Sequence, residues 1–214
     1  MNHLETQFWE RSWRAENRDD LMRYLAAYEN LKHEMIDIFK AHKVRKVCDA
    51  ACGFGAYSLA FASNGFEVSG FDISPTAVQI TQKGLKNYGL DSVDYKVANI
   101  LDTGYSDGTF DGVVAHAVID HLTAAEAGKA IEELLRITVV GGLIMISFDE
   151  AEPEDFTYSH EIIELGTMLY KEGDRNGMIF HPYEWEEIGR LLRDCNIIYQ
   201  SQNRKNEKIV IIKK

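Results

Sequence analysis

The stretch VCDAACGFGAYSLAF (47–61) constrains the fold more than any other part of the chain. An apolar strand runs into a turn of small residues that contains Gly53 and Gly55, and then into an apolar helix. The two glycines permit positive φ and close approach of a ligand to the main chain. The helix behind them begins with unpaired N–H groups. The rest of the chain repeats this alternation. RKVCDAA (45–51), FEVSGFD (66–72), VDYKVAN (93–99), FDGVVAHAV (110–118) and LIMISFD (143–149) read as strands one to five. Between them, a helix over 56–64 closes near Gly65, and Ser74 and Pro75 take the N-cap and N1 positions of a helix running to about Tyr88. TAAE (123–126) is a capping box opening a helix through about Thr138, ended by Gly141-Gly142. NIIYQSQ and KIVIIKK, joined by NRKNE, predict a terminal antiparallel hairpin. Short apolar strands separated by helices form a parallel sheet with right-handed crossovers. The expected class is therefore α/β: a doubly wound, mainly parallel seven-stranded sheet with an antiparallel C-terminal strand and helices on both faces.

Two segments lie outside that rhythm. Residues 17–40 read as one long amphipathic helix, with Asn17 as cap and Asp19 and Asp20 at the positive end of its dipole. Its apolar face comprises Leu21, Tyr24/Leu25, Tyr28, Leu31, Met35 and Ile38/Phe39. Residues 150–181 carry an acidic run, DEAEPED, then a short predicted helix around 160–171, then GDRNGMIFH. Pro182 is predicted at N1 of a helix bearing Trp185, Ile188, Leu191 and Leu192. The organisation expected is a single domain over 1–214, with a helical cap over 1–43 and an inserted lid over 150–181.

The net charge of −11, without any Lys/Arg block, argues against nucleic acid or an anionic membrane surface as partner. The three cysteines, 48, 52 and 195, are odd in number and form no CxxC, so no disulfide framework, zinc site or other metal is expected. No signal-peptide pattern opens the chain, and no apolar run approaches the ~18 residues of a membrane span. A cytoplasmic protein is expected.

The second strand ends in Asp72, placed to accept both hydroxyls of a ribose. A dinucleotide fingerprint begun at Gly53 lacks its third glycine, because Ser58 stands there. Read from two residues earlier, the pattern is Asp49-x-Ala51-x-Gly53-x-Gly55. In this form the stretch resembles the first motif of the class I S-adenosylmethionine-dependent methyltransferases, small-molecule type. YSDGTFDGVVAHAVIDHL and ELLRITVVGGLIMIS are similar to the family's fourth-strand region and its helix, Gly-Gly turn and fifth strand. The resemblance covers roughly residues 44–214 and departs at Ala51, where a glycine is more usual, and at Asn99, where an acid is frequent.

The resemblance implies a Rossmann-like fold, S-adenosylmethionine as cofactor with S-adenosylhomocysteine as product, and a small-molecule methyl acceptor. It assigns cofactor binding to Asp49, Ala51, Gly53, Gly55, Asp72, Ile73, Asn99, Ile100 and His116. Gly53 and its neighbours would hold the methionine part, Asp72 the ribose, Ile73 and Ile100 the adenine faces, and Asn99 the adenine edge. His116 is the leading acid–base candidate, against a role limited to backbone contact with cofactor. Asp120 and His121 are candidates for the acceptor pocket, His121 reading equally as helix-entry surface. His181 either faces the same cleft or caps the following helix. Trp9 and Trp13, one turn apart beside Phe8, act either as a lid offering cation–π contacts or as an apolar anchor. Cys52 is either a thiol acidified by the helix N-terminus or a small residue that fits the turn. The acidic run either favours a cationic acceptor or is a solvated face. Two other functions fit the turn: an NAD(P)-dependent oxidoreductase, disfavoured by the missing glycine and the absence of Y-x-x-x-K, and a non-catalytic cofactor-binding module.

Overall fold

The computed structural model describes residues 3–16, 29–90, 94–203 and 206–214. Its helices are α1 (His3–Ala15), α2 (Glu29–Ala41), α3 (Ala56–Ser63), α4 (Pro75–Asn87), α5 (Ala124–Ile137) and α6 (Trp185–Leu191). Its strands are β1 (Lys46–Ala50), β2 (Glu67–Asp72), β3 (Asp94–Val97), β4 (Phe110–Ala115), β5 (Thr138–Phe148), β6 (His160–Glu164), β7 (Thr167–Tyr170), β8 (Ile179–Phe180), β9 (Asn196–Gln202) and β10 (Lys208–Lys213). Seven of them form one sheet in the order β3-β2-β1-β4-β5-β10-β9. β1 to β5 pair in parallel, and β10 runs antiparallel to both β5 and β9. This is the doubly wound architecture expected from the alternation.

The central strands β1, β4 and β10 are buried on both faces, and successive residues point to opposite sides. Val47 packs with Met35 of α2 and Phe61 of α3, while Cys48 and Ala50 pack with Leu134 of α5 and Ile188 of α6. In β10, Ile209 and Ile211 join the first cluster and Val210 and Ile212 the second. The order reverses between β1 and β4, so the loops after these two strands part and leave a crevice at their carboxyl ends. Asp72, Ala51 and His116 all fall at those ends.

Local chemistry sets the helix ends. Ser74 Oγ accepts from Ala77 N at 3.1 Å with Pro75 at N1, and Thr123 and Glu126 form the predicted capping box. Four expectations are corrected. Residues 160–170 are not a helix but the β6–β7 hairpin of a separate three-stranded sheet with β8. Gly166, at φ 79°, makes the turn that a helix there would not tolerate. The helix after Pro182 begins only at Trp185, because Glu184 is its cap and forms a capping box with Glu187, so His181 is not the cap. Gly141-Gly142 does not end a helix: α5 already stops at Ile137, and Gly141, at φ 82°, sits inside β5 beside a register shift against β4. β3 and β4 are shorter than predicted. Of the long predicted helix, α2 is its last part, with Met35 and Phe39 buried; Asn17, Asp19, Asp20, Leu21, Tyr24, Leu25 and Tyr28 lie outside the described residues.

One polar cluster ties α5 to the segment before β4. Glu133 accepts from Thr103 N (2.8 Å), Thr103 Oγ1 (2.6 Å) and Arg136 Nε (2.7 Å), and Arg136 also reaches the Tyr105 carbonyl at 2.7 Å. Burial alone would raise the Glu133 pKa, but Arg136 and Thr103 outweigh it and hold it at about 2. The folded-state pKa lies below the unfolded one, so the stabilisation is present above about pH 4.5 and is lost as pH falls through 2. Glu133→Gln is therefore expected to cost about 2 kcal/mol in urea unfolding at pH 7. The deficit against the parent should shrink steadily as the titration is repeated below pH 4.5.

Candidate functional site

The floor of the crevice is a turn pinned from two sides. Ala51, Gly53 and Gly55 adopt φ of 58°, 54° and 82°. Asp49 is buried beneath them, and its Oδ2 accepts from Ser58 N at 2.9 Å and from the Ser58 hydroxyl, fixing the start of α3. Thr81 Oγ1 donates to the Gly53 carbonyl at 2.9 Å. Asp72 closes the arrangement: Oδ2 accepts from Gly53 N and Oδ1 from Ser74 N, both at 2.9 Å. One carboxylate thus joins the turn after β1 to the turn after β2. A carboxylate has about four lone-pair sites, so Asp72 retains acceptor capacity for a ligand. Burial raises both acids to a pKa of about 6, despite the N–H groups that favour their ionised forms.

Two connected chambers open above this floor. Asp72, Ile73, Ile100 and Val118 line the first, of about 460 Å³, part of it open to solvent. Gly53, Phe54, Tyr57, His116 and His121 line the second, of about 790 Å³, part of it open to solvent. Trp9, Trp13, Ala51 and Ala117 border both. The tryptophans come from α1, whose Phe8 is buried beside them. The Trp13 ring lies so close to Gly53 that a Cβ there would stand 2.8 Å from it. Glu10 latches this helix to the start of α4, accepting from Ser74 Oγ (2.6 Å), Thr76 Oγ1 (2.8 Å) and Thr76 N (3.2 Å). Burial works against the charged form, but the Ser74 and Thr76 bonds prevail and hold Glu10 at a pKa of about 2.

His116 follows β4 directly. Its Nε2 stands 2.7 Å from Oε1 of Glu207, a buried residue at the foot of β10, and its ring lies 4.8 Å from that of Tyr57. Burial would lower the imidazole's pKa, but the Glu207 carboxylate outweighs this and holds it above its usual value. His121 touches Trp9 edge-on at 4.8 Å and donates from Nδ1 to the Ile179 carbonyl at 2.8 Å.

Asn99, Asp120 and His181 stand apart from the walls of these two chambers. Asn99 turns its Oδ1 to Leu101 N at 3.0 Å, capping its own bend, while its neighbours Ala98 and Ile100 line the first chamber. Asp120 is fully buried and accepts from Asp149 N at 3.0 Å. His181 is buried behind the crevice, with its ring on Thr167 Oγ1 at 2.7 Å and its N–H on the Asp120 carbonyl at 2.7 Å. It joins the small sheet to the main one and does not face the cleft. Cys52 is buried, and that burial pushes its thiol well above the ordinary pKa, so the helix N-terminus does not acidify it. Sequence reasoning gave no role to Glu10, Tyr57, Ala117, Asp149 or Glu207; Glu10 and Glu207 come from segments without a motif of their own, and the other three lie unremarked within the stretches read as the first turn and the fourth and fifth strands.

A family model described as a methyltransferase domain matches residues 48–146, the segment that carries the turn, Asp72 and His116. Residues 48–146 are thus similar to a methyltransferase domain. Over 106 residues the chain is 37% identical to ajmaline N-methyltransferase of Rauvolfia serpentina, covering 49% of this chain and 36% of that one. Over 136 residues it is 32% identical to 2-heptyl-1-hydroxyquinolin-4(1H)-one methyltransferase of Mycobacteroides abscessus, covering 61% and 59%. The chain thus spans between about a third and three fifths of the length of these curated relatives. The fold matches the crystal structure of the PH0226 protein of Pyrococcus horikoshii with a TM-score of 0.76 at 21% identity, over 95% of this chain and 98% of that one. Structures sharing the methyltransferase fold hold S-adenosylmethionine or S-adenosylhomocysteine. No helix among the described residues is long and apolar enough to cross a membrane.

The geometry of this domain yields two expected outcomes. Ala51→Gly keeps stability within about 1 kcal/mol, because glycine accepts positive φ, whereas Ala51→Val, β-branched in the left-handed region, costs more than about 2 kcal/mol in urea unfolding. Glu10→Gln loosens α1, so acrylamide quenching of tryptophan fluorescence should rise while far-ultraviolet circular dichroism stays the same.

Proposed function

We propose that the chain is a soluble, cytoplasmic S-adenosylmethionine-dependent methyltransferase whose acceptor is a small molecule. The reading rests above all on Asp72, a buried carboxylate with spare acceptor capacity at the sheet's switch point, facing a chamber bordered by Ile73 and Ile100. Such a carboxylate suits two adjacent ribose hydroxyls, and the two isoleucines suit the faces of a flat base. The turn of Ala51, Gly53 and Gly55 supplies backbone groups for an amino-acid moiety, with Asp49 holding that turn from below. Ala98 and Ile100 border the base-edge side in place of the expected Asn99.

When bound, S-adenosylmethionine supplies an electrophilic methyl group activated by its sulfonium. The chain's own residues orient, enclose and manage protons. Trp9 and Trp13 exclude water from both chambers and present π faces to a cation. His116, with Glu207 behind it, is placed to receive a proton from an acceptor in the second chamber. His121 borders the acceptor end, and β6–β8 rest on it through Ile179 and Phe180, so the 150–181 segment is the acceptor-side lid and residues 1–43 the cap. The relatives are named for ajmaline and for a heptyl-hydroxyquinolinone, which supports a small molecule as acceptor. The net charge of −11 and the free cysteines support the absence of nucleic acid and a reducing compartment.

Titration calorimetry is expected to show saturable binding of S-adenosylhomocysteine and none of NAD; the reverse overturns the reading. Asp72→Asn should weaken S-adenosylhomocysteine binding by ~100-fold, the scale of two lost charge-assisted bonds. In the parent, affinity should fall as pH drops through about 6, where protonation removes the Asp72 acceptor, and the variant should lose this dependence. His116→Ala should bind S-adenosylhomocysteine normally and lower turnover by ~10²–10⁴-fold if His116 takes the acceptor proton.

A further inference from the structure

Behind the acceptor end of the second chamber, three acceptor groups converge with no donor among them. Asp120 and His121 share one short 3-10 turn, Ile119–His121, and Asp149 follows β5. One ligand atom from each of the three lies within 4.8 Å of the others. Asp120 is 0% exposed. Its Oδ2 is taken by Asp149 N, but its Oδ1 has no hydrogen-bond partner among the described residues. A buried carboxylate oxygen left in this state is costly unless a cation completes it. His121 makes the second, independent point. The Ile179 carbonyl can only accept, so Nδ1 carries a proton and Nε2 is the ring nitrogen left to ligate. A carbonyl holding one ring N–H while the other nitrogen stays basic is the usual support of a metal-ligating histidine. The charged groups that act most strongly on Asp149 are Asp120, His116, His121 and Glu207, and Tyr183 faces Asp120.

We propose that Asp120, His121 and Asp149 form a binding site for one divalent first-row transition-metal ion beside the acceptor chamber. The donor set selects the ion. Two carboxylates with one imidazole suit Mn²⁺, Fe²⁺, Co²⁺ or Zn²⁺, whereas Mg²⁺ and Ca²⁺ favour oxygen alone. Ligands around such an ion stand about 3 Å apart, so the three side chains close inward by roughly an ångström. His121 borders the chamber, so an ion held there would turn its remaining positions toward an oxygen or nitrogen of the acceptor. The expectation of no metal came from cysteine spacing and says nothing of oxygen and nitrogen donors gathered from separate strand ends. The site does not depend on the methyltransferase reading.

The test is titration of the full chain, stripped with a chelator, with Mn²⁺ followed by electron paramagnetic resonance and with Co²⁺ followed by its visible absorption, both without cofactor. One equivalent should bind and raise the melting temperature. Asp149→Asn and Asp120→Asn should weaken it by at least the ~10–100-fold that follows loss of a mere supporting group. His121→Ala should also change the Co²⁺ spectrum. Asp149 lies at a strand end and is only half-buried, so its variant keeps the fold, to be checked by circular dichroism. No saturable binding up to millimolar metal, or binding unchanged in Asp149→Asn, overturns the site. Binding of an alkylammonium ion in place of any metal likewise overturns it and assigns the three acceptors to an amine. S-adenosylhomocysteine affinity, measured separately, shows whether the cofactor reading stands or falls on its own.

Discussion

Asp72 is the constraint on which the crevice depends. Its two oxygens accept main-chain N–H groups from the turns after β1 and β2. Parallel strands impose this need: their carboxyl ends splay into loops whose donors have no ladder partner, and a buried loop must find acceptors elsewhere. A carboxylate at the end of β2 satisfies two such donors and still offers lone pairs outward. Structure and binding thus share one group, held in low dielectric where its pKa is raised by burial.

The rest of the site is assembled around this floor from distant parts of the chain. α1 contributes both tryptophans and is attached through Glu10 to the start of α4, so the roof is tied to the same β2–α4 turn that Asp72 organises. From the other end of the chain, Glu207 reaches His116 because β10 inserts beside β5 and begins just after Glu207, at the carboxyl end of β5. The small β6–β8 sheet joins through His121 and His181, the first toward the chamber and the second away from it. Ala51 and Ala117, both at positive φ without being glycine, border both chambers at the two strand ends where the sheet order reverses. Backbone strain of this kind is concentrated where a ligand approaches the main chain.

The seven-stranded sheet was legible because each strand is a short apolar run and each helix carries its own start, as at Ser74-Pro75 and Thr123–Glu126. The 160–170 segment was misread because Ile162, Ile163, Met168 and Leu169 allow a helical period, and only the conformation of Gly166 decides for a hairpin. Asn99 was assigned from its place after β3, yet its side chain bonds its own bend, a local competition open to any short amide. His181 was expected as a cap because proline follows it, while Glu184 and Glu187 hold the stronger capping pair.

What the sequence by itself determined is the class of fold and the floor of the site: the alternation of strands and helices, the glycine turn and the acid of β2 are local patterns set by periodicity and φ. Only the tertiary structure decided which residues roof and flank that floor. Glu10 and Glu207 have no local pattern of their own, and they meet the cleft because sheet order and helix docking bring separate segments together. Local patterns reflect short-range sterics and burial, whereas such meetings depend on the sum of packing across the whole domain.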